Sequence, residues 1–330
     1  MSKTDRRNFI RASAIAAAAG LSMPPAKLGW GKPVTAGGDP AKPASAPFPD
    51  SAPGAQGSSI AWKMGLMIGS NKPADAIRRA HSMGFSTCQL GMEDFSPDNA
   101  KQLRQAMHQY NIAVTALVTG GPGPDIYNFY QGPLTCGLVP PATRAARIAR
   151  LKQASDFAKQ LDIPAVQTHC GFIPANPANP LYKEVVAAIR EVASYCRKNG
   201  QMFRYETGQE TPITMLRAIE DVGLDNQGIN FDTGNFILYD TGNPVDALDV
   251  VGKHVQGTHM KDGLFPTNPH DLGKEVRIGT GKVDFPRVVQ RLRELKFQGA
   301  ITIEREISGP EQLADIHAEK SYLEKLIAKG

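Results

Sequence analysis

The sequence predicts an α/β fold, a closed (β/α)8 barrel, over residues 60–330. Eight short apolar runs alternate there with eight longer segments of helical apolar spacing, which is the repeat of this fold. The 271 residues of this region also fit a barrel, whose typical length is about 250 residues. An open doubly wound sheet is the competing fold, but no Gly-x-Gly-x-x-Gly motif follows the first strand. We therefore expect one barrel domain.

Each β/α unit can be assigned in order. The predicted strands are Lys63–Ile68, Ser86–Leu90, Ala113–Val118, Ala165–His169, Met202–Glu206, Gly228–Asp232, Val255–Met260 and Ala300–Glu304. The predicted helices are Pro73–Met83, Pro97–Tyr110, Ala142–Leu161, Tyr182–Lys198, Pro212–Val222, Pro244–Val251, Pro286–Leu295 and Glu311–Ile327. Several helices begin with Pro in the first turn, where its missing N–H costs nothing.

Residues 1–30 are predicted to be an export signal. Arginines at positions 6 and 7 precede a small-residue apolar stretch, Ala12–Met23, which is shorter than the ~20 residues of a membrane-spanning helix. This segment resembles a twin-arginine signal, which implies export of the folded protein to the periplasm or beyond the cell. No Cys lies nearby to carry a lipid anchor, so we expect no stable membrane insertion. Residues 31–59, rich in Pro, Gly, Ala and Ser, are predicted to be a flexible linker.

The positive charge of the chain is concentrated at its N-terminus. The whole sequence has 37 Lys and Arg against 32 Asp and Glu, a formal charge of +5. Residues 1–59 hold seven basic and three acidic side chains, which leaves residues 60–330 near +1. A nucleic-acid partner needs a broad basic surface, so we expect none here.

Four of the predicted strands end in polar residues that could bind a metal. The active sites of this fold lie at the C-terminal ends of the strands, and strands five to eight end there in Glu206, Asp232, His259 and Glu304. Any one of them alone could be a hydrogen-bonded strand-end residue, but four in register form a chelate. Three carboxylates and one imidazole suit Mn²⁺ first, then Mg²⁺, and Zn²⁺ and Co²⁺ also accept such ligands. We expect one divalent ion.

At this point the chain resembles a known family, the xylose isomerase-like TIM barrels grouped as sugar phosphate isomerases/epimerases. The resemblance covers about residues 60–330 and lies in the motifs Tyr205–Thr207, Phe231–Asn235, His259–Asp262, Gly279–Phe285 and Ile303–Glu304. It implies a catalytic domain in which Glu206, Asp232, His259 and Glu304 ligate one divalent ion. It also implies that the two glutamates face each other across the substrate and exchange protons with adjacent carbons.

This chemistry follows from the residue types. Removing a proton next to a carbonyl leaves negative charge on oxygen, and a divalent ion stabilises that enediolate as a Lewis acid. Glu206 and Glu304 as base and acid can then epimerise a carbon or interconvert aldose and ketose. The leading hypothesis is therefore an isomerase or epimerase of an unphosphorylated sugar or sugar derivative.

Two alternatives stay open at the level of sequence. If a leaving group lies β to the acidic carbon, the same enediolate expels it, which would make the protein a lyase or hydratase acting on 3-keto-glycosides. A barrel that binds carbohydrate without catalysis is the other alternative, and the two glutamates argue against it. An apurinic endonuclease is disfavoured because its multi-metal site needs more His ligands and a basic surface facing DNA.

Five further residues are predicted to contact the substrate. His169 ends strand four, and Glu93 lies just past strand two. Lys261 follows His259 by two residues, so it could hold a substrate oxygen or pair with a carboxylate. Asn235 stands where many ketose epimerases have His, so the hydroxyl contacts are expected to differ. Tyr127 lies in the long loop 119–141, which could cover a sugar ring as a lid.

The other partner predictions are brief. A small-molecule carbohydrate is the expected partner, and a homo-oligomer is left open. The Gly279-Thr280-Gly281 segment lacks the spacing of a phosphate-binding P-loop, so we expect a tight turn there.

Overall fold

The computed structural model describes residues 62–70 and 72–329. The predicted export signal (1–30) and linker (31–59) lie outside the described residues, so both assignments stay predictions. Within the described part of the chain, no helix has both the length and the hydropathy needed to cross a bilayer.

Eight parallel strands form a nearly closed barrel, which confirms the predicted fold. The strands of the structure, including a separate hairpin formed by β8 and β9, are β1 Met64–Gly69, β2 Thr87–Gly91, β3 Ala113–Val118, β4 Ala165–Thr168, β5 Met202–Glu206, β6 Gln227–Asp232, β7 Val255–His259, β8 Asp262–Leu264, β9 Lys274–Val276 and β10 Ile301–Ile303. Strands β1 to β7 neighbour one another in chain order, and β10 pairs with β1. Backbone bonds around Met260 link β7 to β10, with Met260 N donating to Thr302 O at 2.7 Å and Glu304 N donating to Met260 O at 3.1 Å.

Helices connect the strands on the outside of the barrel. They are α1 Pro73–Ser82, α2 Pro97–Tyr110, α3 Gly132–Thr135, α4 Pro141–Gln160, α5 Pro180–Lys198, α6 Pro212–Val222, α7 Thr233–Leu238, α8 Pro244–Val251, α9 Phe285–Glu294 and α10 Pro310–Ala328. Local chemistry explains their starts. The Ser96 hydroxyl accepts a bond from Asn99 N ahead of α2, and the Thr211 hydroxyl accepts one from Thr214 N ahead of α6.

The core lies in two layers, inside the barrel and between the strands and the helices. Strands β2, β4 and β6 are buried along nearly their whole length, as expected of strands covered on both faces. The helices contribute one face each. In α9 this face consists of Phe285, Val288, Val289 and Leu292. The rigid double layer fixes the strand ends that carry the polar residues.

The sequence analysis missed three short elements, namely α3, α7 and the β8–β9 hairpin. Each is six residues or fewer, which is too short for apolar periodicity to reveal. All three lie on the C-terminal side of the strands, in the connections that surround the polar strand ends. The sequence therefore predicts the scaffold better than the rim.

A buried aspartate organises the segment predicted as a tight turn. The carboxylate of Asp262 accepts four backbone bonds, from Gly263 N at 2.9 Å, Gly279 N at 2.9 Å, Gly281 N at 2.8 Å and Val283 N at 3.1 Å. Gly279 has a φ of +86°, and a Cβ on Gly281 would lie 2.2 Å from Asp262 Oδ1. The backbone N–H groups of this turn thus bind a side chain of the protein itself, as a phosphate loop would bind a phosphate.

Candidate active site

Four polar side chains converge at the C-terminal end of the barrel. Glu206, Asp232 and His259 are the last residues of β5, β6 and β7, and Glu304 directly follows β10. One ligand atom from each lies within 4.8 Å of the others. The structure thus brings together the four residues that the sequence predicts as metal ligands. We call this group the carboxylate centre.

Glu206 is held by one oxygen and directs the other toward the centre. Its Oε2 accepts hydrogen bonds from Gln167 Nε2 at 2.6 Å and Asn230 Nδ2 at 2.8 Å. Its Oε1 lies 2.8 Å from His259 Nδ1, but this contact lacks hydrogen-bond geometry and Oε1 has no hydrogen-bond partner among the described residues. A buried carboxylate oxygen without a donor is costly, so Oε1 is in place for a ligand.

Asp232 has the same division between its two oxygens. Its Oδ1 accepts from Asn235 N at 2.9 Å and caps the short helix α7. Its Oδ2 lies 3.0 Å from Lys261 Nζ and 3.8 Å from His259 Nδ1, again without a well-formed hydrogen bond within the described chain. Burial raises the pKa of Asp232 well above its usual value, and the Lys261 ammonium offsets only part of this effect.

A chain of side-chain amides orients the imidazole of His259. Its Nε2 lies 2.9 Å from Gln89 Oε1, and Gln89 Nε2 donates to Asn230 Oδ1 at 2.7 Å. Asn230 Nδ2 in turn donates to Glu206 Oε2. With Gln89 Oε1 as acceptor, the neutral imidazole carries its proton on Nε2 and directs the lone pair of Nδ1 to the carboxylate centre.

Gly257 makes room for this amide chain inside the barrel. A Cβ at Gly257 would lie 2.7 Å from Asn230 Oδ1 and 3.4 Å from Gln89 Nε2. Because real Cβ atoms essentially never approach within 3.0 Å, any side chain here would displace the Asn230 amide. The bond between Gln89 and Asn230 therefore depends on glycine at this position of β7.

Glu304 is paired with a buried lysine. Lys261 Nζ lies 2.6 Å from Glu304 Oε2, 3.0 Å from Asp232 Oδ2 and 3.1 Å from Glu306 Oε2. Of the two predictions made for Lys261, the structure shows the pairing with carboxylates. Burial alone would raise the pKa of Glu304, but the adjacent His259 and Lys261 charges hold it well below its usual value. The Glu304 side chain is 13% exposed against 3% for Glu206, so Glu304 is closer to solvent.

The carboxylate centre fits a divalent cation. Glu206 Oε1, Asp232 Oδ2 and His259 Nδ1 are buried and lack hydrogen-bond partners among the described residues. Burial disfavours the charged form of His259, yet Glu206 and Glu304 raise its pKa well above the usual value. The electrostatics thus favour positive charge at this point, and carboxylates with an imidazole are ligands of Mn²⁺, Mg²⁺, Co²⁺ and Zn²⁺.

His169 and Tyr127 form a separate wall beside the centre. The Tyr127 ring lies 5.5 Å from the His169 ring, centroid to centroid. His169 Nδ1 is 3.1 Å from Gln209 Nε2, and Gln209 Nε2 also donates to the Tyr239 hydroxyl at 3.0 Å. Neither His169 nor Tyr127 bonds to the four residues of the centre. Their role in binding substrate stays a prediction.

Asn235 and Glu93 are occupied within the protein. Asn235 Nδ2 donates to Thr207 O at 2.9 Å, so its amide ties α7 to the end of β5. Glu93 Oε1 accepts from the Thr119 hydroxyl at 2.6 Å, and its carbonyl accepts from Arg150 at 2.7 Å. Glu93 has no hydrogen bond or ion pair with the carboxylate centre in the described structure. Substrate contact by these two residues also stays a prediction.

Sequence reasoning missed the residues that support the centre. Gln89, Gln167 and Asn230 lie inside strands that are buried on both faces, where apolar residues are expected. The signal that could have found these three residues was the presence of uncharged amide side chains in strands that are otherwise apolar. Glu306, two residues beyond the predicted end of strand eight, was not assigned to the site, although its carboxylate contacts Lys261.

Comparison with known proteins agrees with the fold. The family model of the xylose isomerase-like TIM barrel matches residues 77–326. The chain belongs to this family. Within it, a xylose isomerase domain protein from Planctomyces limnophilus is 33% identical, with a TM-score of 0.77, over 81% of this chain and 98% of that one. An uncharacterized protein from Methanocaldococcus jannaschii is 25% identical over 65% of this chain and 71% of its own length.

Solved structures of lower identity are similar to this chain in fold. The 3-keto-D-glucoside 4-epimerase of E. coli is 14% identical with a TM-score of 0.61, over 80% of this chain and 100% of that one. A D-psicose 3-epimerase, at 15% identity and a TM-score of 0.63, covers 80% of this chain and 99% of its own. A Mycobacterium smegmatis member at 16% identity, with a TM-score of 0.63 over 82% of this chain and 98% of that one, was solved with magnesium.

Proposed function

We propose that this protein is a divalent-metal-dependent isomerase or epimerase of a sugar or sugar derivative. The observation that carries the proposal is the pair of glutamates on either side of His259. His259 Nδ1 lies 2.8 Å from Glu206 Oε1 and 3.2 Å from Glu304 Oε2. Two carboxylates that approach one point from β5 and β10 are placed to serve as base and acid on neighbouring carbons. The sugar epimerases that share this fold support the same proposal.

The two glutamates and the residues that hold them have separate parts in the proposed reaction. A divalent ion, when bound, would polarise the substrate carbonyl as a Lewis acid. One glutamate removes the proton next to that carbonyl and the other returns a proton, either to the same carbon or to its neighbour. The Gln167 and Asn230 amides hold Glu206 in place. Lys261 holds Glu304 by an ion pair of 2.6 Å.

The charges around the centre support an unphosphorylated substrate. The Lys261 ammonium is already shared among the carboxylates of Glu304, Asp232 and Glu306. Glu306 is 60% exposed, so it adds negative charge on the solvent side of this lysine. A phosphate dianion at that position would be repelled. We therefore propose a neutral sugar as the substrate. The preferred ion in this proposal is Mn²⁺.

Hydrogen exchange with solvent tests the proposal directly. The full-length protein, supplied with Mn²⁺, is incubated in D₂O with a panel of free aldoses, ketoses and 3-keto-glycosides, and the products are followed by NMR. We expect deuterium at the carbon next to the carbonyl together with a new epimer or isomer. The Glu304→Gln variant should form no new epimer or isomer, while the exposed Glu311→Gln control should match the wild type.

The same experiment separates the alternatives. Release of an aglycone from a 3-keto-glycoside would favour the lyase, because the enediolate then expels its leaving group. Binding without any exchange would favour a non-catalytic carbohydrate-binding barrel. Formation of the epimer or isomer at a normal rate by Glu304→Gln would contradict the two-glutamate mechanism.

Metal identity and export are further parts of the proposal. Elemental analysis of protein produced in metal-sufficient medium should find about one divalent ion per chain, with Mn²⁺ in first place.

Replacing Arg6 and Arg7 together by Lys should retain the protein in the cytoplasm if residues 1–30 are a twin-arginine signal. Unchanged export of that variant would contradict the signal.

A further inference from the structure

A cavity separate from the carboxylate centre lies at the barrel rim, near the wall formed by His169 and Tyr127. Its volume is about 460 Å³, within the range of small-molecule pockets. It is lined by Phe129, Tyr239, Asp240 and the segment 266–269. The segment comes from the connection between β8 and β9, whereas Phe129 comes from the long loop after β3. Two loops of the barrel rim thus border an open depression with aromatic, proline and polar walls.

Tyr239 connects this cavity to the candidate active site. It lines the cavity, and its hydroxyl accepts a hydrogen bond of 3.0 Å from Gln209 Nε2. The same Gln209 amide lies 3.1 Å from His169 Nδ1, and the His169 ring packs 5.5 Å from the Tyr127 ring. Tyr239 therefore links the cavity to Gln209, His169 and Tyr127 through one hydrogen bond and the contacts that follow it.

The two loops hold the cavity in shape. Phe129 N donates to His270 O at 3.2 Å, and the Tyr130 ring stacks on the His270 ring at 4.7 Å. Asn268 Oδ1 accepts from His270 N at 2.9 Å and from Asp271 N at 3.0 Å, which fixes the end of the second loop. A space bounded by mutually bonded loops is available to a ligand without a large ordering cost.

We propose that this cavity is a subsite for a second sugar unit, so that the substrate is a disaccharide or a similar glycoside. This inference rests on the proposed function, since the first ring would occupy the carboxylate centre. Phe129 and Tyr239 present aromatic surfaces, and the polarised C–H groups of a sugar ring pack favourably against the electron-rich face of such rings. Asp240 and Thr267 supply hydrogen-bonding groups for hydroxyls, which favours a sugar over a purely aromatic aglycone.

Equilibrium binding tests the subsite without requiring turnover. Isothermal titration of the full-length, Mn²⁺-supplied protein would compare glucose, maltose, cellobiose and p-nitrophenyl glucoside. The Phe129→Ala variant removes the aromatic wall, and Leu134→Ala is the matched control because Leu134 is 74% exposed on the same loop and does not line the cavity. We expect one disaccharide to bind more tightly than glucose to the wild type. Phe129→Ala should lose about tenfold in that affinity, or about 1.4 kcal/mol, with glucose binding unchanged.

Each outcome bears on the subsite separately from the proposed function. Disaccharide binding that depends on Phe129 supports the subsite even if no sugar exchanges hydrogen with solvent. Equal binding of glucose and both disaccharides to the wild type overturns it. An equal effect of Phe129→Ala and Leu134→Ala also overturns it, as does tighter binding of p-nitrophenyl glucoside alone, because the cavity would then hold an aromatic aglycone.

Discussion

Two buried aspartates in this barrel have opposite surroundings. Asp232 and Asp262 are both fully buried, and they lie near each other at the C-terminal rim. Asp262 accepts four backbone N–H bonds, with two on each oxygen. Asp232 accepts one such bond on Oδ1, while Oδ2 faces His259 and Lys261 without hydrogen-bond geometry.

The difference separates a carboxylate that shapes the protein from one that is available to a ligand. Every lone pair of Asp262 that the turn can reach is occupied, so this residue has no capacity for chemistry. Asp232 keeps one oxygen free at a point where Glu206 Oε1 and His259 Nδ1 are also free. Buried polar atoms without partners are rare in folded proteins, and three at one point indicate a common ligand.

The largest expected effect comes from the centre. Glu304→Gln removes an acid or base while conserving size, and we expect kcat to fall by about 10²- to 10⁴-fold. The free energy of unfolding should also fall, by about 3 kcal/mol, because the buried Lys261 ammonium loses the partner that lies 2.6 Å away. Steady-state kinetics and a melting curve measure the two effects. A near-normal kcat would contradict this comparison, because the carboxylate centre would then contribute no more to catalysis than the turn around Asp262 does.

The matched pair Asp232→Asn and Asp262→Asn sharpens the comparison. In Asp262→Asn the new NH₂ group faces two backbone donors, so we expect a loss of about 3 kcal/mol in the free energy of unfolding. Asp232→Asn should retain stability but lose high-affinity binding of Mn²⁺. Chemical denaturation and metal titration on both variants measure these results. The opposite pattern, with an unstable Asp232→Asn and a stable Asp262→Asn, would contradict our assignment of the two roles.

The sequence predicts this protein unevenly, and the reasons are physical. The eight strands and the main helices were found because their apolar spacing is long and regular, and Pro212–Val222 is one helix whose bounds agree at both ends. The four residues of the carboxylate centre were found because strand ends in a barrel share one rim. Gln89 and Asn230 were missed, since their pairing depends on barrel register and on the space above Gly257. The short helix α7 was missed because the cap of Asp232 on Asn235 N decides it.

The amide chain behind His259 gives the next prediction. Gln89→Leu removes the acceptor for His259 Nε2, and we expect Mn²⁺ affinity to fall by about 10- to 100-fold. Gln89→Glu keeps an acceptor for His259 Nε2 but loses the donor to Asn230 Oδ1, so it should recover only part of that loss. Isothermal titration with Mn²⁺ distinguishes the two variants. Normal affinity in Gln89→Leu would contradict the role of Gln89 in fixing the imidazole proton.

Glu210 offers a third kind of buried carboxylate. It is only 3% exposed, and neither of its oxygens has a hydrogen-bond partner among the described residues. Unlike Asp232, it belongs to no group of ligand atoms. Burial raises the pKa of Glu210 to about 8, and the nearby Glu206 charge adds to this shift. Cys170 and Tyr205 are its other titratable neighbours.

The sign of the resulting pH dependence is fixed by this shift. The folded protein holds the Glu210 proton more tightly than the unfolded chain, so the contribution to stability is complete below pH 4.5 and is lost as pH rises through about 8. One proton limits the slope to about 1.4 kcal/mol per pH unit. Glu210→Gln should flatten the decline of the free energy of unfolding with rising pH. Burial also raises the pKa of Glu319 to about 7, so Glu319 contributes a decline of the same sign in both the wild type and the variant. Melting curves between pH 5 and pH 9, with Glu311→Gln as control, measure the difference. An unchanged decline in Glu210→Gln would mean that the Glu210 carboxyl finds a hydrogen-bond partner in solution and that its burial does not set the pH dependence.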